Sequence, residues 1–294
     1  MEIAYSVFVT AVFMAALGGL LAYFLAIANK RLYVYEDPLI EQVEELLPHS
    51  NCGACGSAGC RNFAELAVLG KMDPGCCTVN TAEQNKNIAG LLGVAMGNVE
   101  KRVARLACAG GKHVATMRAL YSGLASCRAA TVAGGGGKSC AWGCLGLGDC
   151  ADVCDFDAIH MDRHGLPVVD LVKCTACGDC VDICPKNLFS IHGVSHKLWV
   201  SCRNEEADGD VAEASCEVAC TACGRCVMDG AEGLIQLQSN LAVIDYDKNA
   251  IANRTAIERC PTGAIVWLEG ERIIKGKLAK KIIRIEPLPA TIEV

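Results

Sequence analysis

Residues 174–185 decide how the centre of this chain folds, and they read Cys174-Thr-Ala-Cys177-Gly-Asp-Cys180-Val-Asp-Ile-Cys184-Pro. This spacing, C-x2-C-x2-C-x3-C-P, is the one that holds [4Fe–4S] clusters and sends its fourth cysteine to a neighbouring cluster. The spacing therefore predicts that the first three cysteines share one cluster and that Cys184 serves another.

A stretched copy of the same run precedes it. Its cysteines follow the spacing C-x3-C-x5-C-x3-C, and they are Cys140, Cys144, Cys150 and Cys154. In both copies the last cysteine leads into a short apolar segment, as an internal repeat would give. By the crossing rule, the first cluster takes Cys140, Cys144, Cys150 and Cys184, and the second takes Cys174, Cys177, Cys180 and Cys154. We expect this two-cluster, ferredoxin-like domain to span residues 139–198.

A third copy of the run is half degenerate. It begins with Cys220-Thr-Ala-Cys223-Gly-Arg-Cys226 and ends with Cys260-Pro, and it has no cysteines at the positions of a second triplet. One cluster of this pair is therefore expected on Cys220, Cys223, Cys226 and Cys260. The degenerate domain is predicted over residues 199–268, with a C-terminal tail over 269–294.

Another cysteine run lies near the N-terminus, in a predicted small domain over residues 30–85. It reads Cys52-Gly-Ala-Cys55-Gly-Ser-Ala-Gly-Cys60 and is followed at a distance by the adjacent pair Cys76-Cys77. Three close cysteines and one distant one make a [4Fe–4S] cage. We prefer Cys76 as the fourth ligand, which leaves Cys77 as a spare thiol.

The remaining cysteines stand apart from the tight runs. Four sets of four leave five of the 21 cysteines, namely Cys77, Cys108, Cys127, Cys202 and Cys216. The last four either form a fifth cluster or are ordinary buried or surface thiols, and both interpretations stay open. Cys108 and Cys127 lie in a predicted connecting segment over residues 86–138.

Residues 1–29 are predicted to be a transmembrane anchor. No Lys, Arg, Asp or Glu occurs between Ile3 and Asn29, a stretch long enough to cross a bilayer as a helix. A cleaved signal peptide is the alternative, but a basic first region is absent and the apolar stretch is too long. Because Lys30 and Arg31 follow directly, the positive-inside rule predicts that the cluster domains face the cytoplasm.

The composition narrows the class of protein. The chain has 294 residues, and only 5% are aromatic, so we expect clusters rather than large side chains to organise the domains. Tight triplets ending in Cys-Pro argue against a secreted disulfide scaffold, and the net charge of −6 gives no case for nucleic-acid binding. Zinc stays a competitor, mainly for the outlying cysteines. The predicted fold class is α+β, with one transmembrane helix, a small helical cluster domain and ferredoxin-like domains.

The order of these parts resembles the B subunit of the Rnf complex, a membrane-bound ferredoxin:NAD oxidoreductase that couples electron transfer to ion translocation. The residues that carry the resemblance are the N-terminal anchor, Cys52-Gly-Ala-Cys55, Gly143-Cys144-Leu-Gly-Leu-Gly-Asp-Cys150, and Cys174 through Cys184-Pro-Lys. The resemblance implies that the chain takes electrons from soluble ferredoxin and relays them to partner subunits. Those partners would hold flavins, bind NAD and translocate ions. Longer members of the family carry a complete extra cluster pair, of which this chain keeps half.

The runs themselves predict electron transfer without a nucleophile or a general base, so no catalytic residue is assigned. A membrane-tethered polyferredoxin serving another oxidoreductase or a redox sensor is the alternative, and a zinc-stabilised structural protein is the competitor from another class. The basic residues of the tail are either a docking surface for an acidic ferredoxin or an ordinary solvated face. They are Lys275, Lys277, Lys280, Lys281 and Arg284.

Overall fold

The computed structural model describes residues 2–32, 36–97 and 99–289. Helix α1, Glu2–Leu32, carries the apolar N-terminal segment, whose mean hydropathy is 2.2 and whose side chains are not buried against the rest of the described protein. By length and composition this helix can cross a membrane, as expected of an anchor. Met1 and residues 290–294, the ends of the predicted anchor and tail, lie outside the described residues.

Three short helices form the N-terminal domain: α2, Pro38–Glu45; α3, Cys60–Val68; and α4, Ala82–Leu92. Local sequence fixes where two of them begin. Asp37 accepts a hydrogen bond from the Leu39 N–H at 2.9 Å and caps α2, while Thr81 and Gln84 form a capping box on α4. Their buried faces meet around side chains that are at most 1% exposed, namely Val43, Phe63 and Ile88.

The central unit contains two antiparallel strand pairs and three helices. Strand β1, Arg102–Leu106, pairs with β4, Phe189–Gly193, and β2, Ile159–Met161, pairs with β3, Pro167–Val169. The helices are α5, Cys127–Val132; α6, Asp149–Asp152; and α7, Asp179–Ile183. The predicted connecting segment 86–138 therefore supplies a strand to this unit. It does so because the β4 backbone groups need hydrogen-bond partners, which nothing in the cysteine spacing identifies.

The C-terminal unit is built on a three-stranded antiparallel sheet in the order β5, Leu198–Val200; β8, Ile265–Glu269; and β9, Arg272–Ile274. A hairpin packs beside it, formed by β6, Ile235–Gln238, and β7, Leu241–Ile244. Its helices are α8, Gly209–Ser215; α9, Arg225–Asp229; and α10, Thr255–Glu258. Leu198 belongs to this sheet, so β5 spans the predicted boundary between residues 198 and 199.

Every element after α1 is short, and cysteines take part in the hydrophobic cores. Cys60 and Cys77 lie in the N-terminal core, Cys150 and Cys174 in the central core, and Cys260 in the C-terminal core. Mixed short helices and strands behind one apolar helix confirm the predicted α+β class. The cores are organised around sulfur atoms rather than around large aromatic side chains.

Candidate iron–sulfur cluster sites

The first cavity, called site A, is lined by four cysteines: Cys52, Cys55, Cys60 and Cys77. The loop that carries the first two makes tight bends, with a φ of 69° at Gly53 and 86° at Gly56. Cys60 begins α3, and its N–H donates to Asn51 Oδ1 at 2.8 Å. Local backbone geometry therefore gathers three of the four thiols.

The fourth thiol of site A differs from the one that the sequence favours. Cys76 ends a 3-10 turn, Pro74–Cys76, after which the backbone becomes extended at Cys77. Cys77 lines the cavity, whereas Cys76 does not. The Cys77 carbonyl accepts a hydrogen bond from Asn85 Nδ2 at 2.9 Å, which ties this residue to α4. Two adjacent cysteines look equal in a sequence, and the turn distinguishes them.

Site B gathers the regular triplet and one crossing cysteine: Cys154, Cys174, Cys177 and Cys180. Burial, and then the three neighbouring thiols, raise the pKa of Cys180 to about 12. The Ala104 N–H of β1 points at Cys174 Sγ, 3.4 Å away. The structure thus brings together the four residues that the crossing rule groups.

Site C contains a cysteine that the sequence rule places elsewhere. Burial, and then the thiols of Cys127 and Cys184, raise the pKa of Cys150 to about 12. Asp149 holds Cys127 beside Cys150, because its carboxylate accepts from the Cys127 N–H at 2.9 Å and from Ser126 Oγ at 3.0 Å. The structure therefore brings Cys127, a residue of the connecting segment, to the first cluster of the central unit.

The same site takes Cys144 rather than Cys140. Burial, followed by the thiol of Cys108 and more weakly that of Cys150, raises the pKa of Cys144 to about 12, so this residue lies between two groups of thiols. Cys140 lines the cavity of the other group, together with Cys108. We define site C as Cys127, Cys144, Cys150 and Cys184, and Cys140 is not among its members as the crossing rule predicts.

Site D is a cavity lined by four cysteines from four separate segments: Cys108, Cys140, Cys202 and Cys216. A Cβ built on Gly110 would lie 3.0 Å from Cys216 Sγ and 3.6 Å from Cys108 Sγ, so both sulfur atoms approach this glycine closely. The Cys220 N–H donates to Cys202 Sγ at 3.2 Å. The four scattered cysteines of the sequence thus separate, with three of them in site D and Cys127 in site C.

Lys138 is a site residue that the cysteine pattern does not reveal. Its side chain is buried at 6% exposure, and Nζ donates to the carbonyl oxygens of Gly110 and of Cys144, the latter at 2.6 Å. It lies near enough to Cys140 and Cys216 to oppose the burial that raises their pKa values. A buried cation beside a group of thiolates offsets part of their negative charge. The run of glycines before it carries no signal of this role.

Site E repeats the geometry of site B with the predicted residues: Cys220, Cys223, Cys226 and Cys260 line one cavity. Burial raises the pKa of Cys226 to about 12, and the other three thiols add to the effect. Cys223 is exposed, whereas Cys226 and Cys260 are buried. One corner of this site therefore faces solvent.

The residues present fit [4Fe–4S] clusters. A buried thiol with a raised pKa stays protonated unless a positive partner replaces the proton, and cluster iron is such a partner. Backbone N–H groups directed at sulfur, from Ala104, Cys144, Leu188 and Cys220, are the contacts that stabilise and tune bound clusters. Within the described ranges no three Cys, His, Asp or Glu side chains converge tightly enough to hold a single metal ion.

Two family models match the chain. A model for an Fe-S cluster domain matches residues 47–79, which contain site A. A model for the 4Fe-4S binding domain matches residues 167–189, which contain the regular triplet and Cys184. These matches confirm [4Fe–4S] clusters as the cofactors of the chain.

Curated relatives cover most of the chain, and each is the B subunit of a membrane redox complex. That of the Na(+)-translocating ferredoxin:NAD(+) oxidoreductase complex of Acetobacterium woodii is 39% identical over 82% of this chain and 72% of its own length. That of the proton-translocating complex of Clostridium ljungdahlii is 37% identical over 86% of this chain and 90% of its own length. That of the ion-translocating oxidoreductase complex of Methanosarcina acetivorans is 38% identical over 86% and 95%. The resemblance drawn from the cysteine runs is confirmed, and the chain belongs to the family of B subunits of the ion-translocating ferredoxin:NAD oxidoreductase, or Rnf, complexes.

Proposed function

We propose that this chain takes electrons from soluble ferredoxin and relays them through five [4Fe–4S] sites to partner subunits of a membrane-bound ferredoxin:NAD oxidoreductase complex. Each bound cluster supplies a one-electron carrier. The protein holds these carriers in fixed order, shields them from water and directs backbone N–H groups at their sulfur ligands. The ligand sets proposed are those of sites A to E.

The observation that carries the proposal is that neighbouring sites touch. Site A meets site B where Thr78, next to Cys77, donates its hydroxyl hydrogen to the carbonyl of Thr175, next to Cys174, at 2.6 Å. Site B meets site C through Cys180, whose thiol is among the neighbours that raise the pKa of Cys150 after burial.

The contacts continue to the C-terminal unit. Site C meets site D where the Cys144 N–H donates to Cys108 Sγ at 3.4 Å. Site D meets site E where the Cys220 N–H donates to Cys202 Sγ at 3.2 Å. The five sites therefore form one unbroken series, A–B–C–D–E, and a series of close one-electron carriers is what an electron relay requires.

The series also has a direction relative to the membrane. Site A belongs to the domain that follows α1 along the chain, so it is the site nearest to the anchor in sequence. Lys30 and Arg31 at the end of α1 favour the cytoplasmic side for all that follows. We place the cluster domains in the cytoplasm, where soluble ferredoxin reaches them, and the membrane partners beyond site A.

The test uses the full chain, purified anaerobically in detergent. We expect about twenty irons and twenty acid-labile sulfides per chain, four of each for every site, and loss of visible absorbance when reduced ferredoxin is added. Stoichiometric zinc with little sulfide would overturn the relay altogether. Clusters that dithionite reduces but ferredoxin does not would overturn the assignment of the donor.

A further inference from the structure

The C-terminal segment of the described chain is strongly basic. Residues 275–284 contain five Lys or Arg and no Asp or Glu, although the whole chain has a net charge of −6. Four of these lysines line a depression of about 570 Å³: Lys275, Lys277, Lys280 and Lys281. His113 lies in its wall, and Arg284 donates to the His113 carbonyl at 2.9 Å. The charge of the molecule is thus reversed at this one depression.

The segment is fastened directly over the loop that carries Cys260. The Leu278 N–H donates to the Glu258 carbonyl at 3.1 Å, and the Lys280 N–H donates to the Pro261 carbonyl at 2.8 Å. Gly276 lies so close to the Ile257 carbonyl that no Cβ would fit there. The backbone of the basic segment therefore rests on the backbone beside site E, and the lysines are held at this place.

The depression and site D share a wall. Ala109 and Val218 line the depression, and both also line the site D cavity. Ala109 follows Cys108 in the chain, and Val218 is two residues after Cys216. Only one layer of small or medium side chains separates the floor of the depression from site D, which is a short path for an electron.

The nearby carboxylates neutralise only part of the charge. Lys277 pairs with Glu258 at 3.7 Å, Lys280 with Glu213 at 3.5 Å, and Arg284 with Glu217. All three cations remain more than a third exposed, and such exposed pairs bind weakly. Lys275 and Lys281 have no carboxylate within ion-pair distance among the described residues. The surface keeps an excess of positive charge over three carboxylates.

We propose that this basic depression is the docking surface for a small acidic electron-carrier protein, and that electrons enter the series at site D. The inference rests on the relay function proposed above and adds the place of entrance. A concave cationic surface one layer above a redox site fits a protein that must bring its own carrier close. Anionic lipid headgroups would meet the same cations, but they gain nothing from this thin wall.

The experiment compares two doubly reversed full chains in neutral-lipid nanodiscs. Lys277→Glu/Lys281→Glu alters the depression. Lys71→Glu/Lys86→Glu makes the same charge change at exposed positions of the N-terminal domain, and serves as the matched control. The rate of reduction by reduced acidic ferredoxin is followed by stopped flow. At low ionic strength we expect at least about a tenfold loss for the first variant and less than about twofold for the control. High salt should remove the difference.

Each alternative result has a distinct meaning. Photoreduced deazaflavin, which needs no docking, should reduce all three proteins equally and shows that the sites are intact. If deazaflavin but not ferredoxin reduces the wild type, the proposed function fails. If ferredoxin reduces the wild type and both variants at similar rates, only the docking inference fails. Protection of Lys281 from acetylation by anionic nanodiscs, but not by ferredoxin, would assign the surface to the membrane and overturn the inference.

Discussion

Sites B and D hold the same number of cysteines but are built in opposite ways. Site B takes three ligands from seven consecutive residues, where positive φ values at Ala176 and Gly178 fold the loop around a centre. Site D takes its ligands from four segments between residues 108 and 216. The backbone of one loop suffices for site B, whereas site D exists only when β1, β5 and α8 are already packed together.

This difference sets what each site contributes. A contiguous site organises its own loop on binding a cluster, as metal-coupled folding requires. A distributed site instead ties the central unit to the C-terminal unit, because Cys108 and Cys140 come from one and Cys202 and Cys216 from the other. We therefore expect site B to be assembled locally and site D to depend on the whole fold.

The largest expected effect tests how the scattered cysteines are divided. Removing any one ligand should cost about four irons per chain. Cys127→Ala/Cys150→Ala should lose no more than Cys150→Ala alone, because both residues serve site C. Cys140→Ala/Cys150→Ala should lose about eight, because two sites are broken. Iron and sulfide analysis of the anaerobic proteins measures this non-additivity, and the reverse pattern would restore the grouping expected from sequence.

Site A lies between the two extremes, with three local ligands and one distant ligand. We expect Cys77→Ser to lose about four irons and Cys76→Ser to lose none, since only Cys77 lines the cavity. The two substitutions are one residue apart and chemically identical, so each controls the other. Equal iron loss in both would show that the turn before Cys77 does not select the ligand.

Sequence reasoning succeeds where geometry is local. The triplets of sites B and E, with their crossing or closing cysteines, come together as the spacing predicts, and the apolar helix and the α+β class follow from hydropathy and repeat pattern. The exchange of Cys127 and Cys140 could not be predicted. It depends on Asp149 capping the N-terminus of α5 and on the close approach that Gly110 permits, and both are tertiary contacts. A buried Lys138 is likewise invisible, because lysine is ordinarily a surface residue.

A smaller effect is expected at Lys138, which gives site D a buried cation. Lys138→Met removes a positive charge near the cluster and should make its reduction less favourable. The potential should fall by on the order of 100 mV, from about 2–3 kcal/mol of charge interaction at an effective dielectric near 20. Lys138→Arg keeps the charge and should stay near the wild-type value. Potentiometric titration separates the two, and an unchanged potential in the methionine variant would remove Lys138 from the site.

The smallest effect concerns the contact between the units on which site D depends. His192 of β4 packs against Trp199 of β5 at 5.0 Å and against Tyr246 at 4.5 Å between ring centroids. Burial, then the neighbouring His196 and Arg105, lowers the pKa of His192 to about 4. Because this folded-state pKa lies below that of an unfolded histidine, the stabilisation is present above pH 6.5 and is lost as the pH falls towards 4.

The free energy at stake is at most about 2 kcal/mol, because part of the ring is open to solvent and screening reduces the effect. Anaerobic urea unfolding followed by tryptophan fluorescence at pH 7 and pH 4.5 measures it. His192→Phe keeps an aromatic ring but has no proton to gain, so its unfolding midpoint should change less between the two pH values. Cluster lability in acid affects both proteins alike, and the difference between them reports the histidine. An identical pH dependence in the two would mean that protonation of His192 does not weaken the contact that holds site D together.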